Sequence, residues 1–190
     1  PILLRRGNDV EVVSEGVIDL LRKRNWIYSD SQIQFQNTMW IDLNQPSEDI
    51  LATMKQKTRY NIRLALKKGV KIRIANIDEY PLIYQLYAQT SIRDDFVIRS
   101  EKYYLEMWKK FNQARVCDVL IAEFEGIAIA GLVLYHIDNR AFYVYGMTSD
   151  EHRNLMASYA IQWEAIQLAK QYGLEFYDLW GAPNSIDESD

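Results

Sequence analysis

The chain has 190 residues, 48% of them hydrophobic and 25% charged, enough to bury a sizeable core and in keeping with a globular fold. The formal net charge is −4, yet eight of the 22 Lys and Arg lie within Met54–Arg73, a stretch without a carboxylate, which leaves −12 for the rest. That pattern excludes a protein that coats nucleic acid generally and points to a localised anion site. A single cysteine, Cys117, excludes an internal disulfide, and the two histidines, His136 and His152, offer little to a metal, so no metal site and a reducing compartment are expected.

The amino terminus, PILLRRGND, lacks the order of a signal peptide, and no apolar run approaches the roughly 20 residues of a membrane span. The chain is expected to be soluble and cytoplasmic. Because it begins at Pro1 and ends on SIDESD, it is also expected to be part of a longer protein. Residues 15–25 predict a short helix and Thr38–Leu43 a strand. The spacing then predicts one helix over Ser47–Lys68: Ser47 as N-cap, Glu48 and Asp49 in the first turn, and Gly69 as the stop. Along it, steps of four align Lys55, Arg59, Arg63 and Lys67 beside an apolar stripe of Ile50, Met54, Ile62 and Leu66. A basic face of this kind suits a polyanion, and equally suits a solvated surface.

A short strand at Val70–Ala75 precedes helices at Asp78 to about Asp94 and Ser100–Ala114. Three strands follow, Val116–Phe124, Ile127–Ile137 and Arg140–Thr148, joined by turns at Glu125-Gly126 and Asp138-Asn139. In the last of them, alternation places Tyr143 and Tyr145 on one face, and Phe142 and Val144 on the other. A helix over Leu155–Tyr172 stops at Gly173, and Glu175–Trp180 forms a closing strand.

Strand, helix, helix, three strands, helix, strand is the element order of the GNAT acyltransferase fold. The fold class expected is therefore α+β (α/β): a mixed, largely antiparallel sheet flanked by helices, which splays open to admit an acyl donor. Coenzyme A-dependent members place a glycine-rich loop between the fourth strand and the next helix, where backbone N–H groups hold the pyrophosphate. Here that junction reads TSDEHRNLMASYA, with no glycine. Its side chains are expected to obstruct the close approach of a phosphate to the backbone.

Three motifs resemble the Fem (FemABX) family, the aminoacyltransferases that build peptidoglycan interpeptide bridges: K-x-K-T-R-Y-N-I-R-L-A-x-K-x-G-V at Lys55–Val70, Y-x-Y-G-x-x-S at Tyr143–Ser149, and R-x5-Y-x3-W-E-x-I-x-x-A-K-x-x-G-x-x-x-Y-D-x-W-G at Arg153–Gly181. The resemblance implies that residues 1–43 end a first, truncated GNAT-like domain, that 44–183 form a second lacking its final strands, and that 184–190 are an acidic tail. It also implies aminoacyl-tRNA as co-substrate in place of a cofactor. The acceptor would be an amine on the stem peptide of a peptidoglycan precursor, UDP-MurNAc-pentapeptide or lipid II, with a peripheral membrane encounter for the lipid-linked form.

Arg99 and Tyr103 match an R-x3-Y that family members use to hold the precursor's phosphates and sugar, and Tyr145 matches a tyrosine of the same pocket. Arg suits a diphosphate because its fork donates two parallel hydrogen bonds. Lys55, Arg59, Arg63 and Lys67 are the candidates for tRNA contact. No catalytic residue is assigned: the resemblance implies substrate-assisted proton transfer, with a lysine beyond residue 190 stabilising the developing charge. Asp178 is read as a structural carboxylate, Cys117 as a small apolar residue, and Trp163 and Glu164 as helix packing. Two other classes stand beside this reading, a coenzyme A-dependent GNAT N-acyltransferase and a non-catalytic module that binds tRNA or a nucleotide-sugar peptide.

Overall fold

The computed structural model of the chain describes residues 3–6, 9–12, 15–27 and 37–182. The acidic tail, 184–190, lies outside them. By internal contacts the chain forms two compact units, one of residues 1–41 with 178–190, the other of Asp42–Tyr177.

In the first unit, β1 (Leu3–Arg6) and β2 (Asp9–Val12) pair antiparallel, Leu3 opposite Val12 and Arg6 opposite Asp9, and α1 spans Glu15–Lys23. The sequence pattern assigns the two strands no element. Asp178 is buried as expected: it accepts hydrogen bonds from the Thr38 hydroxyl, from Trp40 Nε1 at 3.0 Å and from the Trp180 N–H at 2.8 Å.

The elements that follow are β3 (Asn37–Asp42), α2 (Ser47–Thr53), α3 (Gln56–Lys67), β4 (Lys71–Ile74), α4 (Tyr80–Arg93), α5 (Glu101–Gln113), β5 (Cys117–Phe124), β6 (Ile127–Ile137), β7 (Arg140–Thr148), α6 (Ala157–Gln171) and β8 (Phe176–Ala182). Short 3-10 turns, Ile77–Glu79 and Arg153–Leu155, lead into α4 and α6. In the first unit β3 lies beside β8, and in the second unit the strands run β7-β6-β5-β4, with the first residues of β8 beside β7. Strands β4 to β7 are successively antiparallel. The N–H groups of Glu175 and Phe176 both reach the Asn139 carbonyl, so β8 starts beside the start of β7 and α6 is the crossover between them. The sheet is mixed and mostly antiparallel, as the sequence predicts.

Helices cover both faces. Helices α4 and α5 bury Tyr80, Ile83, Leu86, Tyr104 and Trp108 against Val119, Ile121, Val133 and Met147. On the other side α6 packs on β5, β6 and β7, and α3 packs on α6. The alanines Ala160, Ala165 and Ala169 are fully buried, so the α6 backbone approaches its neighbours closely.

Two expectations fail in instructive ways. The helix over 47–68 is two helices, because Met54 and Lys55 adopt extended ψ values of 151° and 144°. Ser47 is the first helical residue rather than the cap, and its hydroxyl donates to Gln167 Oε1 at 2.7 Å. The break also shifts the phase of the apolar stripe: Ile50 and Ile62 are buried, Ala65 takes the inward position after Ile62, and Leu66 is 43% exposed. The second failure is in β7. The ladder with β6 pairs Val133 with Tyr145 but Leu134 with Tyr143, so Val144 is an extra residue, a β-bulge. The bulge breaks the alternation and sends Tyr145 toward α4 and α5, Tyr143 toward α6 and α3.

Candidate functional site

The α4–α5 loop brings Arg99 to the start of α5, one turn before Tyr103. The Arg99 guanidinium lies over the Tyr103 ring, 4.9 Å from its centre, and Tyr84 donates its hydroxyl proton to the Arg99 carbonyl at 3.2 Å. Among the described residues no carboxylate is ion-paired with Arg99, whose side chain is exposed.

Tyr103 meets Tyr104 edge-on at 5.4 Å, and Tyr104 meets Tyr145 at 5.7 Å. Tyr145 is itself backed by Tyr87 and Trp108. Burial is the largest influence raising the Tyr145 phenol pKa, with Tyr104 and Tyr103 next and Arg99 opposing, so its hydroxyl is a neutral donor at physiological pH. The structure thus brings Arg99, Tyr103 and Tyr145 onto one aromatic-floored surface.

Three hollows meet at Ser158, in the first turn of α6. The smallest, about 150 Å³, lies against the C-terminal end of β7 and is lined by Thr90, Tyr143, Gly146, Ser158 and Gln162 among others. A groove of about 330 Å³ continues past Tyr143 between α3 and α6, lined by Met54, Ile62, Trp163 and Ile166. The largest, about 510 Å³, sits over the β7–α6 junction beside His152, Arg153 and Tyr159. At this junction His152 and Met156 hold φ values of 59° and 57° without being glycine, and Met156 begins α6 with no side-chain cap. The absence of glycine therefore leaves the left-handed backbone geometry in place, each such residue at a cost of about 1 kcal/mol.

Sequence reasoning missed this cavity group and the brace beside it. Arg93 donates from Nη1 to the Thr148 carbonyl and to Asp150, both at 3.0 Å, which ties α4 to the end of β7. The motif Y-x-Y-G marked Tyr143, but only the bulge reveals which way it points.

The basic candidates are not one row. Lys55 caps α3 from the extended break, and only Arg59, Arg63 and Lys67 share a helix. Arg59 donates from Nη1 to the Ala52 carbonyl at 3.1 Å and to that of Met54, at the negative end of α2. Arg63 and Lys67 are exposed, as are Lys57 and Lys68, and Lys68 Nζ donates to the Asn154 carbonyl at 3.1 Å beside the junction hollow.

His136 pairs with Asp118 at 3.1 Å, and Tyr172 donates to the same carboxylate at 2.9 Å; the register puts this group on the face of the sheet opposite Cys117, which pairs with Tyr135, so they form no nucleophilic triad. Burial pushes the Cys117 thiol up to about 12, which keeps it unreactive. No group of three His, Cys, Asp or Glu among the described residues can hold a metal ion.

The fold is that of the GNAT-type acyltransferases. A predicted acetyltransferase with acetyl-CoA from Clostridium acetobutylicum superposes with a TM-score of 0.52 at 13% identity, over 60% of this chain and 82% of that one. FemX superposes more fully, with a TM-score of 0.81 at 16% identity over 93% of this chain and 62% of its own. The FemAB family model matches residues 27–126 and 120–190, and the chain belongs to that family. A lipid II:glycine glycyltransferase of Staphylococcus epidermidis is 20% identical over 84% of this chain and 53% of its own length. The chain spans about half the length of the curated relatives it matches.

Proposed function

We propose that this chain is the greater part of the second GNAT-like domain, residues 44–183, of an aminoacyltransferase, preceded by the end of a first domain at 1–43. The reaction is transfer of an amino acid from aminoacyl-tRNA to an amine on the stem peptide of a peptidoglycan precursor. The observation that carries this reading is the Arg99–Tyr103–Tyr145 surface on the α4–α5 side of β7, with hollows that meet at Ser158 around the C-terminal end of the same strand. Relatives named as lipid II:glycine glycyltransferases support the acceptor class.

Arg99 would grip the precursor diphosphate with its parallel N–H donors, Tyr103 would pack on the sugar, and the neutral Tyr145 hydroxyl would donate to an acceptor oxygen. The donor ester would enter at the end of β7, where this fold takes its acyl group. Attack by the neutral amine forms the C–N bond. Collapse of the tetrahedral intermediate breaks the ester C–O bond, and the amine proton passes to the departing ribose oxygen. Holding both partners in line lowers the barrier mainly by removing their translational freedom. No described residue is assigned as base.

The exposed cations Lys57, Arg63, Lys67 and Lys68, with Lys55 at the helix start, would follow the tRNA backbone. A cytoplasmic enzyme would meet a lipid-linked acceptor at the membrane surface, and Ile92 at the end of α4 and Val97 in the α4–α5 loop, 82% and 99% exposed, suit that encounter. No helix among the described residues is long and apolar enough to cross a membrane.

The test is transfer of labelled amino acids from a charged tRNA mixture by the full-length protein, with lipid II, UDP-MurNAc-pentapeptide or no acceptor, and with acetyl-CoA as alternative donor. Label appearing on a precursor only when tRNA is charged is the expected result. Acetyl transfer without aminoacyl transfer would assign the chain to the coenzyme A-dependent class instead.

A further inference from the structure

Thr148 is the last residue of β7, and its backbone groups point away from β6. The Ser149 N–H reaches the Ile129 carbonyl at 2.9 Å, so alternation turns the N–H and C=O of Thr148 toward the opposite edge of the strand. Those are the groups an adjoining strand would take up, and here side chains of α4 take them. The Thr148 N–H donates to Thr90 Oγ1 at 3.1 Å, and Arg93 Nη1 donates to the Thr148 carbonyl at 3.0 Å. The Thr90 hydroxyl has a single proton, and the Leu86 carbonyl at 2.9 Å is nearer to it than that of Thr148 at 3.2 Å. Thr90 therefore serves the N–H and Arg93 the C=O.

The brace is itself held in place. Thr90 and Arg93 stand three residues apart on one face at the end of α4, and Thr90 is buried. Asp94 takes the Arg93 Nε donor at 2.9 Å and Asp150 takes Nη1 at 3.0 Å, which orients the guanidinium. Six residues past Arg93 the chain reaches Arg99, on the loop that α4 feeds. One helix end thus carries both the anchor of β7 and the root of the Arg99 surface. With no described residue assigned as base, the rate in the reading above depends on alignment, and a displacement of about 1 Å can cost about a hundredfold.

We propose that Thr90 and Arg93 are positioning residues of the transfer reaction: together they hold the end of β7 in register with the α4–α5 loop, whose Arg99 grips the acceptor. This rests on the aminoacyltransferase reading above. Neither side chain takes part in the bond exchange. Each acts through Thr148, and loss of either leaves one backbone group of this half-buried residue without its partner, free to draw the strand end toward another. The signature is a slower chemical step with both substrates bound as before.

The test uses the full-length protein and combines steady-state transfer from charged tRNA to the precursor with hydrogen exchange of the peptide spanning residues 146–150. Thr90→Val, which keeps the side-chain shape without the hydroxyl, is compared with Thr90→Ser, which keeps the hydroxyl, and with Arg93→Met. Circular dichroism at the assay temperature confirms each fold, and Arg93→Met carries the comparison if Thr90→Val does not fold. Thr90→Val and Arg93→Met are each expected to lower kcat at least tenfold with both KM values within threefold of wild type, and Thr90→Ser to keep kcat within threefold. Exchange in the 146–150 peptide is expected to be at least tenfold faster in Thr90→Val than in wild type or Thr90→Ser, which reports the freed N–H independently of activity. Unchanged kcat in a folded Val or Met variant, a loss confined to KM, or a Thr90→Ser as slow as Thr90→Val overturns the positioning role while leaving the aminoacyltransferase reading intact. Absence of aminoacyl transfer by the wild type overturns that reading and the positioning role with it.

Discussion

Arg73 illustrates how a single side chain in this fold is fixed by charge. It reaches Glu79 and Glu123 at 2.6 Å each, and Glu79 also accepts the Asn76 N–H at 2.7 Å as half of a capping box. The hydrogen bond from Arg73, then that from Asn76, holds the Glu79 carboxyl down at about 2, from an ordinary 4.5. A depressed carboxylate contributes stability that is present above its unfolded pKa and disappears as pH falls toward the folded value. Thermal stability is therefore expected to drop between about pH 4.5 and 2, with Glu79→Gln losing on the order of 1 kcal/mol at pH 7 and showing a shallower fall. Calorimetry across that range checks it, and an identical pH profile in the variant would remove Glu79 from the explanation. Arg99 and Tyr103 came from the family resemblance rather than from local spacing, and the structure lays the Arg99 guanidinium over the Tyr103 ring. The direction of Tyr143 was not legible, because a bulge has no signature in the alternation it interrupts.

Helices α2 and α3 show where periodicity stops being informative. Neither Gly nor Pro marks the break at Met54–Lys55, and the pattern of apolar and basic residues runs through it. What holds the break is Arg59, whose guanidinium closes the carbonyl end of α2, an interaction between elements that no window of sequence displays. Arg59→Ala is expected to cost about 1 to 2 kcal/mol of stability, the range for a charged hydrogen bond in a partly exposed place. Neutralising Arg63 and Lys67 together should instead leave stability nearly unchanged and flatten the salt dependence of tRNA binding, by about 0.9 in log–log slope for each phosphate the two cations neutralise. Denaturant unfolding and binding at several salt concentrations separate the two roles, and an unchanged slope would make α3 a solvated face. The meander of β5, β6 and β7 was readable almost to the residue because its turns are chemically explicit: Glu125 and Gly126 both take positive φ, as a tight hairpin requires. In the β1–β2 pair only Asp9–Val12 alternates, Leu3–Arg6 reads LLRR, and strands of four residues are too brief for a pattern to stand out.

For the whole molecule, element order alone led to the GNAT-type fold, and three separated motifs to the Fem family, which the family match establishes. The division of labour around β7 was beyond the sequence. It depends on a bulge that turns two tyrosines of one motif to opposite sides of the sheet, one toward the Arg99 surface, the other toward the hollows at α6. The glycine-free junction argued against a coenzyme A pyrophosphate, yet its backbone reaches the left-handed region at His152 and Met156, so composition alone does not decide that point. A direct test of the proposed acceptor surface is calorimetric titration of the chain with UDP-MurNAc-pentapeptide, wild type beside Arg99→Ala. Saturable binding that weakens by about 1 to 3 kcal/mol in the variant is the predicted result. Binding of equal strength in both would contradict it, because the diphosphate would then be held without Arg99.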